Sequence, residues 1–322
     1  MNQIGKVTVV GAGAQGAAIA QRLAESDAAG LLVLADVVEG RAEALAADLN
    51  QSRALTGHRT PVLGTACGPE DEGYEQTAGS RLVVIAAGRR PAPDTDRFQQ
   101  LTDNLHTVTE LTRELVFWSP DAVLLVVANP VAELTRAVQQ ASGFPASRVL
   151  GQSQLLDSAR FAHFLAEELR VEVDRIRALV LGWHGEDLFA VVSQCTVDGR
   201  PLAELMAPED IEEIVERTRY AGAELTSLLR GPGLRAPAIA AAEVARAILS
   251  DSGRALPVCC RLDGEFGIED VWLGVEAELG ARGVNKVVET ELTGPELDAL
   301  RTAAAAARVS QLRAEALTVR TG

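Results

Sequence analysis

Short apolar runs alternate with amphipathic stretches through the first half of the chain. Continuous apolar runs suit strands that are covered on both faces, and apolar residues at helical spacing indicate helices. The predicted elements are a strand at residues 6–10, a helix at 14–25, a strand at 31–35, a helix at 39–49, a strand at 82–87, a helix at 98–118, and strands at 123–128 and 148–150. Such alternation is typical of βαβ units, so we predict an α/β fold with a doubly wound parallel sheet.

The pattern changes after residue 151, where strands and helices no longer alternate. The predicted elements there are a helix at residues 152–169, strands at 176–181 and 188–194, a helix at 208–229, strands at 254–261 and 271–275, and a helix at 295–317. This order is typical of an α+β domain. A chain of 322 residues has the length of about two domains. We therefore predict a first domain over residues 1–150 and an α+β domain over residues 151–322.

Charge and cysteine content exclude several classes of protein. The formal net charge is −15, which disfavours binding to nucleic acid or to anionic membranes. The first apolar stretch, residues 7–10, is too short for a signal or spanning helix. The cysteines lack CxxC spacing, so we expect no disulfide framework and no metal site. We therefore expect a cytoplasmic protein without nucleic-acid or membrane partners. The four cysteines are Cys67, Cys195, Cys259 and Cys260.

A glycine-rich loop follows the first predicted strand and opens the first predicted helix. The loop reads GAGAQG, with glycines at Gly11, Gly13 and Gly16. The first glycine permits a tight turn, the second lets a pyrophosphate approach the backbone, and the third lets the helix pack close to the strand. The N-terminus of the helix directs N–H groups at the phosphates. This arrangement predicts a dinucleotide-binding Rossmann domain, although methyltransferases that bind S-adenosylmethionine also carry such a loop.

An acidic residue closes the second predicted strand. Asp36 lies 20 positions after Gly16, where a carboxylate can accept hydrogen bonds from the ribose hydroxyls. The next residues, Val37 and Val38, offer no cation for a 2′-phosphate. The sequence therefore favours NAD over NADP as the cofactor.

Charged residues occupy unusual settings in the second half. Asp157 and Arg160 lie three apart on a predicted helix, so their side chains share one face. His184 stands between glycines after an apolar strand. These features have ordinary explanations as well, namely a surface salt bridge and a solvated loop histidine. The arginines at 89, 90 and 97 in the loop after the third strand are likewise compatible with a solvated turn.

Taken together, these motifs resemble the L-lactate/malate dehydrogenase family, and the similarity runs from the first strand to the last helix. The segments that carry it are GAGAQG with Asp36, the Ala87–Gly88 loop ending at Arg97, Ala128-Asn129-Pro130, LDSAR at 156–160, WHG at 183–185, and the later runs at 256–273 and 283–289. The resemblance implies a Rossmann domain followed by a catalytic α+β domain. It also implies an NAD-dependent enzyme that interconverts a 2-oxo acid and an L-2-hydroxy acid.

The resemblance assigns chemical roles to five residues. Arg160 is expected to hold the substrate carboxylate through two parallel hydrogen bonds. His184 is expected to exchange the proton of the ketone or hydroxyl, with Asp157 orienting its ring. Arg97 is expected to close over the site and stabilise charge on the ketone oxygen. Asn129 is expected to form a hydrogen bond near the ketone and the nicotinamide.

The resemblance also implies a set of cofactor-binding residues and a homodimer or homotetramer. We expect the assembly to form through helices that follow the cofactor domain. The expected NAD-binding residues are Gly11, Gly13, Gln15, Gly16, Asp36, Ala87, Gly88, Asn104, Ala128 and Asn129.

The residues that set substrate choice depart from the family pattern. The loop position that carries arginine in malate enzymes and glutamine in lactate enzymes is Pro91, with Arg90 beside it. The opposite pocket wall has Gly233, and the residue before the histidine is Trp183. These departures leave the substrate open between malate and a bulkier monocarboxylate. They also leave open a non-catalytic NAD-binding protein that serves as a sensor or partner-binding module.

Overall fold

The computed structural model describes residues 5–68, 73–88, 97–185 and 187–321. The first half of the chain alternates strands and helices, as its sequence predicts. Its elements are β1 (Lys6–Val10), α1 (Ala14–Glu25), β2 (Leu31–Asp36), α2 (Arg41–Thr56), β3 (Val62–Ala66), β4 (Ser80–Ile85), α3 (Arg97–Trp118), β5 (Val123–Val126), α4 (Val131–Ser142) and β6 (Val149–Gly151).

These six strands form a parallel sheet in the order β3-β2-β1-β4-β5-β6. The order reverses between β1 and β4, and a doubly wound sheet binds its ligand at such a reversal, outside the carboxyl ends of the strands. Strands β1, β2, β4 and β5 are almost wholly buried between the helices that cover both faces, whereas the edge strand β3 is partly exposed. The predicted Rossmann fold is therefore confirmed.

The second half contains longer helices and antiparallel strands. Its elements are α5 (Gln154–Leu169), β7 (Ile176–Arg177), β8 (Val180–Trp183), β9 (Asp187–Ala190), β10 (Thr196–Val197), β11 (Arg200–Pro201), α6 (Pro208–Leu229), α7 (Arg235–Leu249), β12 (Ala255–Asp263), β13 (Glu269–Gly280), β14 (Gly283–Val287) and α8 (Gly294–Thr321).

Antiparallel strands of the second half extend the sheet of the first. β6 pairs with β12 at Gly151 and Cys259, and the order continues through β13, β8 and β9, with β14 also on β13. The short strands β7, β10 and β11 form a separate small sheet. The second half thus has the predicted α+β character.

The last helix packs on the extended sheet through a buried glutamine. Gln311 Nε2 donates to the Trp272 carbonyl at 2.7 Å, and its Oε1 accepts from the Trp272 N–H at 3.1 Å. This side chain therefore satisfies two backbone groups of β13 at once. Within the described residues, no helix combines the length and apolar content that crossing a membrane requires.

Several predicted boundaries are wrong for local reasons. The helix predicted from residue 39 begins at Arg41, because Gly40 before it has a left-handed φ of 74°. The run predicted as one strand at 176–181 is divided into β7 and β8. The strand predicted to residue 194 ends at Ala190 and gives way to a 3₁₀ turn.

Candidate active site

Two glycines of the loop after β1 are required by close packing. Gly11 has a φ of 97°, and an added β-carbon would lie 2.6 Å from the Ala87 nitrogen. An added β-carbon at Gly16 would lie 1.8 Å from the Gly11 carbonyl oxygen. Both positions therefore exclude larger residues, and α1 consequently lies close against the ends of β1 and β4.

Gly13 differs from its two neighbours because nothing in the fold crowds it. The residue is exposed, and an added β-carbon would have no heavy atom of the described chain within 4 Å, its chain neighbours aside. The first turn of α1 begins directly after it with the uncharged residues Ala14 and Gln15. A glycine that packing does not require, at a helix N-terminus, fits the close approach of a pyrophosphate to the backbone.

Asp36, at the carboxyl end of β2, is fixed by hydrogen bonds from two backbone groups. Its Oδ2 accepts from the Ala12 N–H at 2.7 Å, and its Oδ1 accepts from the Val38 N–H at 2.9 Å. The carboxylate thus ties the glycine loop to the end of β2. Arg41 Nη1 also donates to Oδ1, at 3.3 Å. This contact was not predicted. The feature of the sequence that could have suggested it is an arginine five positions after the acidic residue.

Further expected NAD-binding residues lie beyond the ends of the next two strands. Ala87 and Gly88 follow β4, and Ala128 and Asn129 follow β5. Asn104 of α3 is buried, and its Nδ2 donates to the Asn129 carbonyl at 2.8 Å. An added β-carbon at Gly88 would lie 3.2 Å from the Asn104 amide. These residues therefore share the sheet edge that carries the glycine loop and Asp36.

The second half brings together a histidine, a carboxylate and an arginine. Asp157 has no exposed surface, and its Oδ2 lies 2.6 Å from His184 Nδ1. Its Oδ1 accepts from Arg160 Nη1 at 3.3 Å. Because the shared carboxylate is buried, this is not the surface salt bridge that the spacing alone allowed, nor is His184 a solvated loop residue.

Two further hydrogen bonds from α5 to β8 bring the histidine and the carboxylate together. Gln154 Nε2 donates to the Gly182 carbonyl at 2.9 Å, and Ser158 Oγ accepts from the Val180 N–H at 2.9 Å. Gln154, Asp157 and Ser158 lie on one face of α5, three and four residues apart. One helix face therefore bonds β8 at two points just before His184, through the residues on either side of Asp157 along the helix. Gln154 was not predicted from the sequence.

Two glycines of the second half lie beside long side chains of the site region. An added β-carbon at Gly222 of α6 would lie 3.4 Å from Arg160 Nη2, so this glycine leaves space around the guanidinium. An added β-carbon at Gly233 would lie 3.3 Å from Leu225 Cδ1. Leu225 therefore occupies part of the space that the small residue leaves. Gly233 was predicted from the sequence but Gly222 was not, because its position beside Arg160 depends on how α6 packs on α5.

The remaining expected residues lie at the edges of the described chain. Pro91 and Arg90 fall outside the described residues. Arg97 is the first residue of α3, and only its backbone position is described. Trp183 is buried in the core at the end of β8.

Comparisons with known proteins agree with this geometry over nearly the whole chain. A model of the lactate/malate dehydrogenase NAD-binding domain matches residues 5–151, and a model of the lactate/malate dehydrogenase alpha/beta C-terminal domain matches residues 155–315. The malate dehydrogenase of Synechocystis is 40% identical over 306 residues, which make up 95% of this chain and 92% of that protein.

Solved structures agree as well. The malate dehydrogenase of Salinibacter ruber gives a TM-score of 0.91 at 38% identity and covers 98% of this chain and 100% of its own. The lactate dehydrogenase of Cryptosporidium parvum, solved with lactic acid and β-nicotinamide adenine dinucleotide, gives a TM-score of 0.92 at 29% identity. That match covers 98% of this chain and 99% of the other.

Proposed function

The chain belongs to the lactate/malate dehydrogenase family and is an NAD-dependent 2-hydroxy acid dehydrogenase, and from that premise we propose that it interconverts L-malate and oxaloacetate. The observation that carries the reaction is the buried carboxylate of Asp157 shared by His184 and Arg160. Malate as the substrate is supported by relatives that are named malate dehydrogenase at 38–40% identity over at least 93% of the chain.

Arg160 is proposed to bind the carboxylate next to the reacting carbon. Its guanidinium is held at one end by Asp157 and has Gly222 beside it. A planar guanidinium can form two parallel hydrogen bonds with a carboxylate, which fixes both the position and the orientation of the substrate. The small residue at 222 keeps the space that a bound carboxylate needs.

His184 is proposed to exchange the proton at the reacting oxygen. Asp157 Oδ2 lies 2.6 Å from Nδ1, and the exchange with substrate is assigned to Nε2. Bound NAD supplies the hydride acceptor or donor. During malate oxidation, the hydroxyl proton passes to His184 as the hydride leaves C2, and the C–O bond becomes the carbonyl of oxaloacetate. The buried Asp157 carboxylate stabilises the imidazolium that forms.

The loop that precedes α3 is proposed to complete the site. Arg97, where α3 begins, would stabilise charge on the reacting oxygen, and Asn129 would donate to the same region from the end of β5. Arg90 is proposed to pair with the second carboxylate of malate, since Pro91 can neither pair with charge nor donate. Leu225 beside Gly233 supports malate over a bulkier monocarboxylate, because it takes up space next to the small residue.

Steady-state kinetics with NADH test this proposal. Oxaloacetate is expected to have the highest kcat/KM in a panel with pyruvate, 2-oxoisocaproate and phenylpyruvate. Arg90→Gln is expected to lower kcat/KM for oxaloacetate by about a hundredfold, because a buried carboxylate loses its partner. Arg89→Gln is the matched control and should change it less than threefold. A preference for phenylpyruvate would overturn malate as substrate, and turnover of none of the four would favour the non-catalytic NAD-binding alternative.

We propose that the protein is a homodimer or a homotetramer in which α6 contributes to an interface. Apolar residues form one stripe along this helix. Its first half is buried within the chain, whereas Leu225, Leu228 and Leu229 in its second half are 41%, 74% and 62% exposed. Exposed apolar stripes mark interaction surfaces. Light scattering should give a mass two or four times the 34.0 kDa of one chain, and Leu228→Glu should shift that mass toward the monomer.

We also propose the cytoplasm as its location. All four cysteines are buried free thiols that form no disulfide bond, as is usual for proteins of a reducing compartment. Detection of the native protein in the soluble cytoplasmic fraction of its cell tests this placement.

A further inference from the structure

An arginine lies beside Asp36, the carboxylate that is expected to bind the adenosine ribose. Arg41 Nη1 donates to Asp36 Oδ1 at 3.3 Å. The Arg41 side chain is 46% exposed, whereas that of Asp36 is only 6% exposed. The carboxylate is therefore fixed in the fold by Ala12 and Val38, while the guanidinium lies on the open side of it.

These two groups have opposite consequences for cofactor choice. An acidic residue at this position accepts hydrogen bonds from the 2′-hydroxyl of NAD and repels the 2′-phosphate of NADP, whereas a nearby arginine accommodates that phosphate. In this chain the acidic residue, Asp36, and the arginine, Arg41, are both present and contact each other. Arg41 offsets part of the Asp36 charge, and its remaining N–H groups can bind a phosphate as a fork.

The contact between the two side chains is also weak enough to be exchanged. The contact is long for a charged hydrogen bond, and it shares Oδ1 with the Val38 N–H. The Arg41 side chain is also about half exposed to solvent, which weakens the pairing. Glu43, the acidic residue in the first turn of α2, instead accepts from the Ala66 N–H at 2.8 Å. Its carboxylate is therefore engaged at the end of β3.

We infer that Arg41 lowers the selectivity of this chain for NAD(H) over NADP(H), so that NADP(H) binds as a second, weaker cofactor in the site of NAD(H). Asp36 keeps NAD(H) the preferred cofactor, and rotation of the Arg41 guanidinium from Asp36 toward a 2′-phosphate permits NADP(H). This inference concerns the cofactor site alone and holds whichever 2-oxo acid is the substrate.

Fluorescence titration of the intact protein with NADH and NADPH tests the inference without any substrate. We expect NADPH to bind saturably, with a Kd about ten- to a hundredfold above that of NADH. Arg41→Ala should raise the NADPH Kd by about tenfold or more, because a charge-assisted fork to phosphate is lost, and should change the NADH Kd less than threefold. Arg41→Lys should restore part of the loss.

Arg59→Ala is the matched control for the loss of one positive charge. Arg59 is 89% exposed, pairs with Asp27 and precedes β3, at the opposite edge of the sheet from Asp36. The Arg59→Ala variant should leave the ratio of the NADPH Kd to the NADH Kd unchanged. In Asp36→Ser the preference should turn toward NADPH, and adding Arg41→Ala should abolish that preference.

Three results would overturn the inference. They are no saturable NADPH binding by the unaltered protein, equal effects of Arg41→Ala on both cofactors, and an NADPH preference in Asp36→Ser that survives Arg41→Ala. Failure of oxaloacetate turnover would leave these binding outcomes intact, so the two proposals fail separately.

Discussion

Asp157 is the residue on which the proposed chemistry depends. A buried carboxylate is costly unless donors or cations satisfy it, and His184 and Arg160 each engage one of its oxygens. The same carboxylate therefore orients the proposed proton-transfer group and the proposed substrate-binding group. Loss of Asp157 should impair proton transfer and substrate binding together. Loss of His184 should impair mainly proton transfer, and loss of Arg160 mainly substrate binding.

Replacement of the histidine tests its role directly. His184→Asn should lower kcat by at least about a hundredfold, because an amide cannot exchange the substrate proton, while the Kd for NADH stays within threefold. His163→Asn is the matched control, since His163 is an exposed histidine of α5 that pairs with Glu167. Normal turnover by His184→Asn would remove this residue from proton transfer.

At the scale of elements, the junction of α5 with β8 determines where His184 lies. Gln154 is 1% exposed, and an added β-carbon at Gly274 of β13 would lie 1.8 Å from its side chain. The glycine thus provides the space in which Gln154 reaches the Gly182 carbonyl, two residues before His184. We infer that Gln154 positions the histidine through the strand.

Gln154→Met keeps the length of the side chain and removes the donor. It should lower kcat about tenfold with KM nearly unchanged, and should cost about 1–3 kcal/mol of unfolding free energy because a buried carbonyl loses its partner. Gln311→Met is the matched control, as Gln311 is equally buried and bonds the backbone of β13. It should lose similar stability and keep kcat. Equal effects on kcat in the two variants would contradict a positioning role.

A carboxylate near the start of the last helix bonds the turn that follows β9. Glu296 accepts from the N–H and hydroxyl of Ser193 and from those of Thr293. Burial raises the pKa of Glu296, but these hydrogen bonds outweigh it, and the net pKa lies below the usual 4.5. The deprotonated form is thus favoured in the fold, so its stabilisation is present above pH 4.5 and is lost as the pH falls through the lower folded pKa.

Glu296→Gln removes this contribution. The variant should be less stable than the unaltered protein at pH 7 by about 1 kcal/mol, and the difference should narrow as the pH falls below 4.5. Urea unfolding at pH 7 and at pH 3.5 measures it. Glu168→Gln, an exposed position on α5, controls for the charge. A difference that stays constant over this pH range would contradict the assignment.

Elements with regular local patterns were predictable from the sequence. The predicted bounds of β1, α1 and α6 agree with the structure, because each has an uninterrupted apolar run or helical stripe. β3 was missed because it has exposed and half-buried positions around Gly64, so its assignment depends on neighbours in the fold. α4 was also missed, although Val131, Leu134 and Val138 recur at helical spacing and made it predictable.

The site was predictable where its residues are local in sequence. The glycine loop and Asp36 follow from spacing, and the family resemblance suggested His184, Asp157 and Arg160. The contacts of Arg41, Gly222 and Gln154 were not predictable, because each depends on the packing of separate elements. The assigned roles, and the domain boundary between residues 150 and 151, stay predictions.

At the scale of the whole molecule, one sheet joins the two halves. β12 continues the parallel sheet beside β6, and β13 and β8 follow it, so the strand that precedes His184 belongs to the same sheet as the strand that precedes the glycine loop. One apolar core cluster includes residues of both halves. Relative motion of the halves would disrupt this sheet. We therefore expect any movement during the catalytic cycle to occur in loops.

Three of the four buried cysteines, Cys67, Cys259 and Cys260, belong to that shared core, and Cys195 lies in a second apolar cluster. Burial raises the pKa of Cys260 to about 12, that of Cys67 to about 12 and that of Cys195 to about 11, and it raises the pKa of Cys259 well above the usual 9.0. The fold therefore favours protonated thiols. Their contribution to stability is complete below about pH 9 and is lost as the pH rises toward the folded values.

Thiol reactivity and alkaline unfolding should follow from this burial. At pH 8 the native protein should react with Ellman's reagent many times more slowly than the denatured protein, in which all four cysteines react, since the thiolate is the nucleophile. The unfolding free energy should fall between about pH 9 and pH 11, and Cys260→Ala should reduce that fall. Rapid reaction of a native thiol at pH 8 would show that the core opens locally far below the cost of global unfolding.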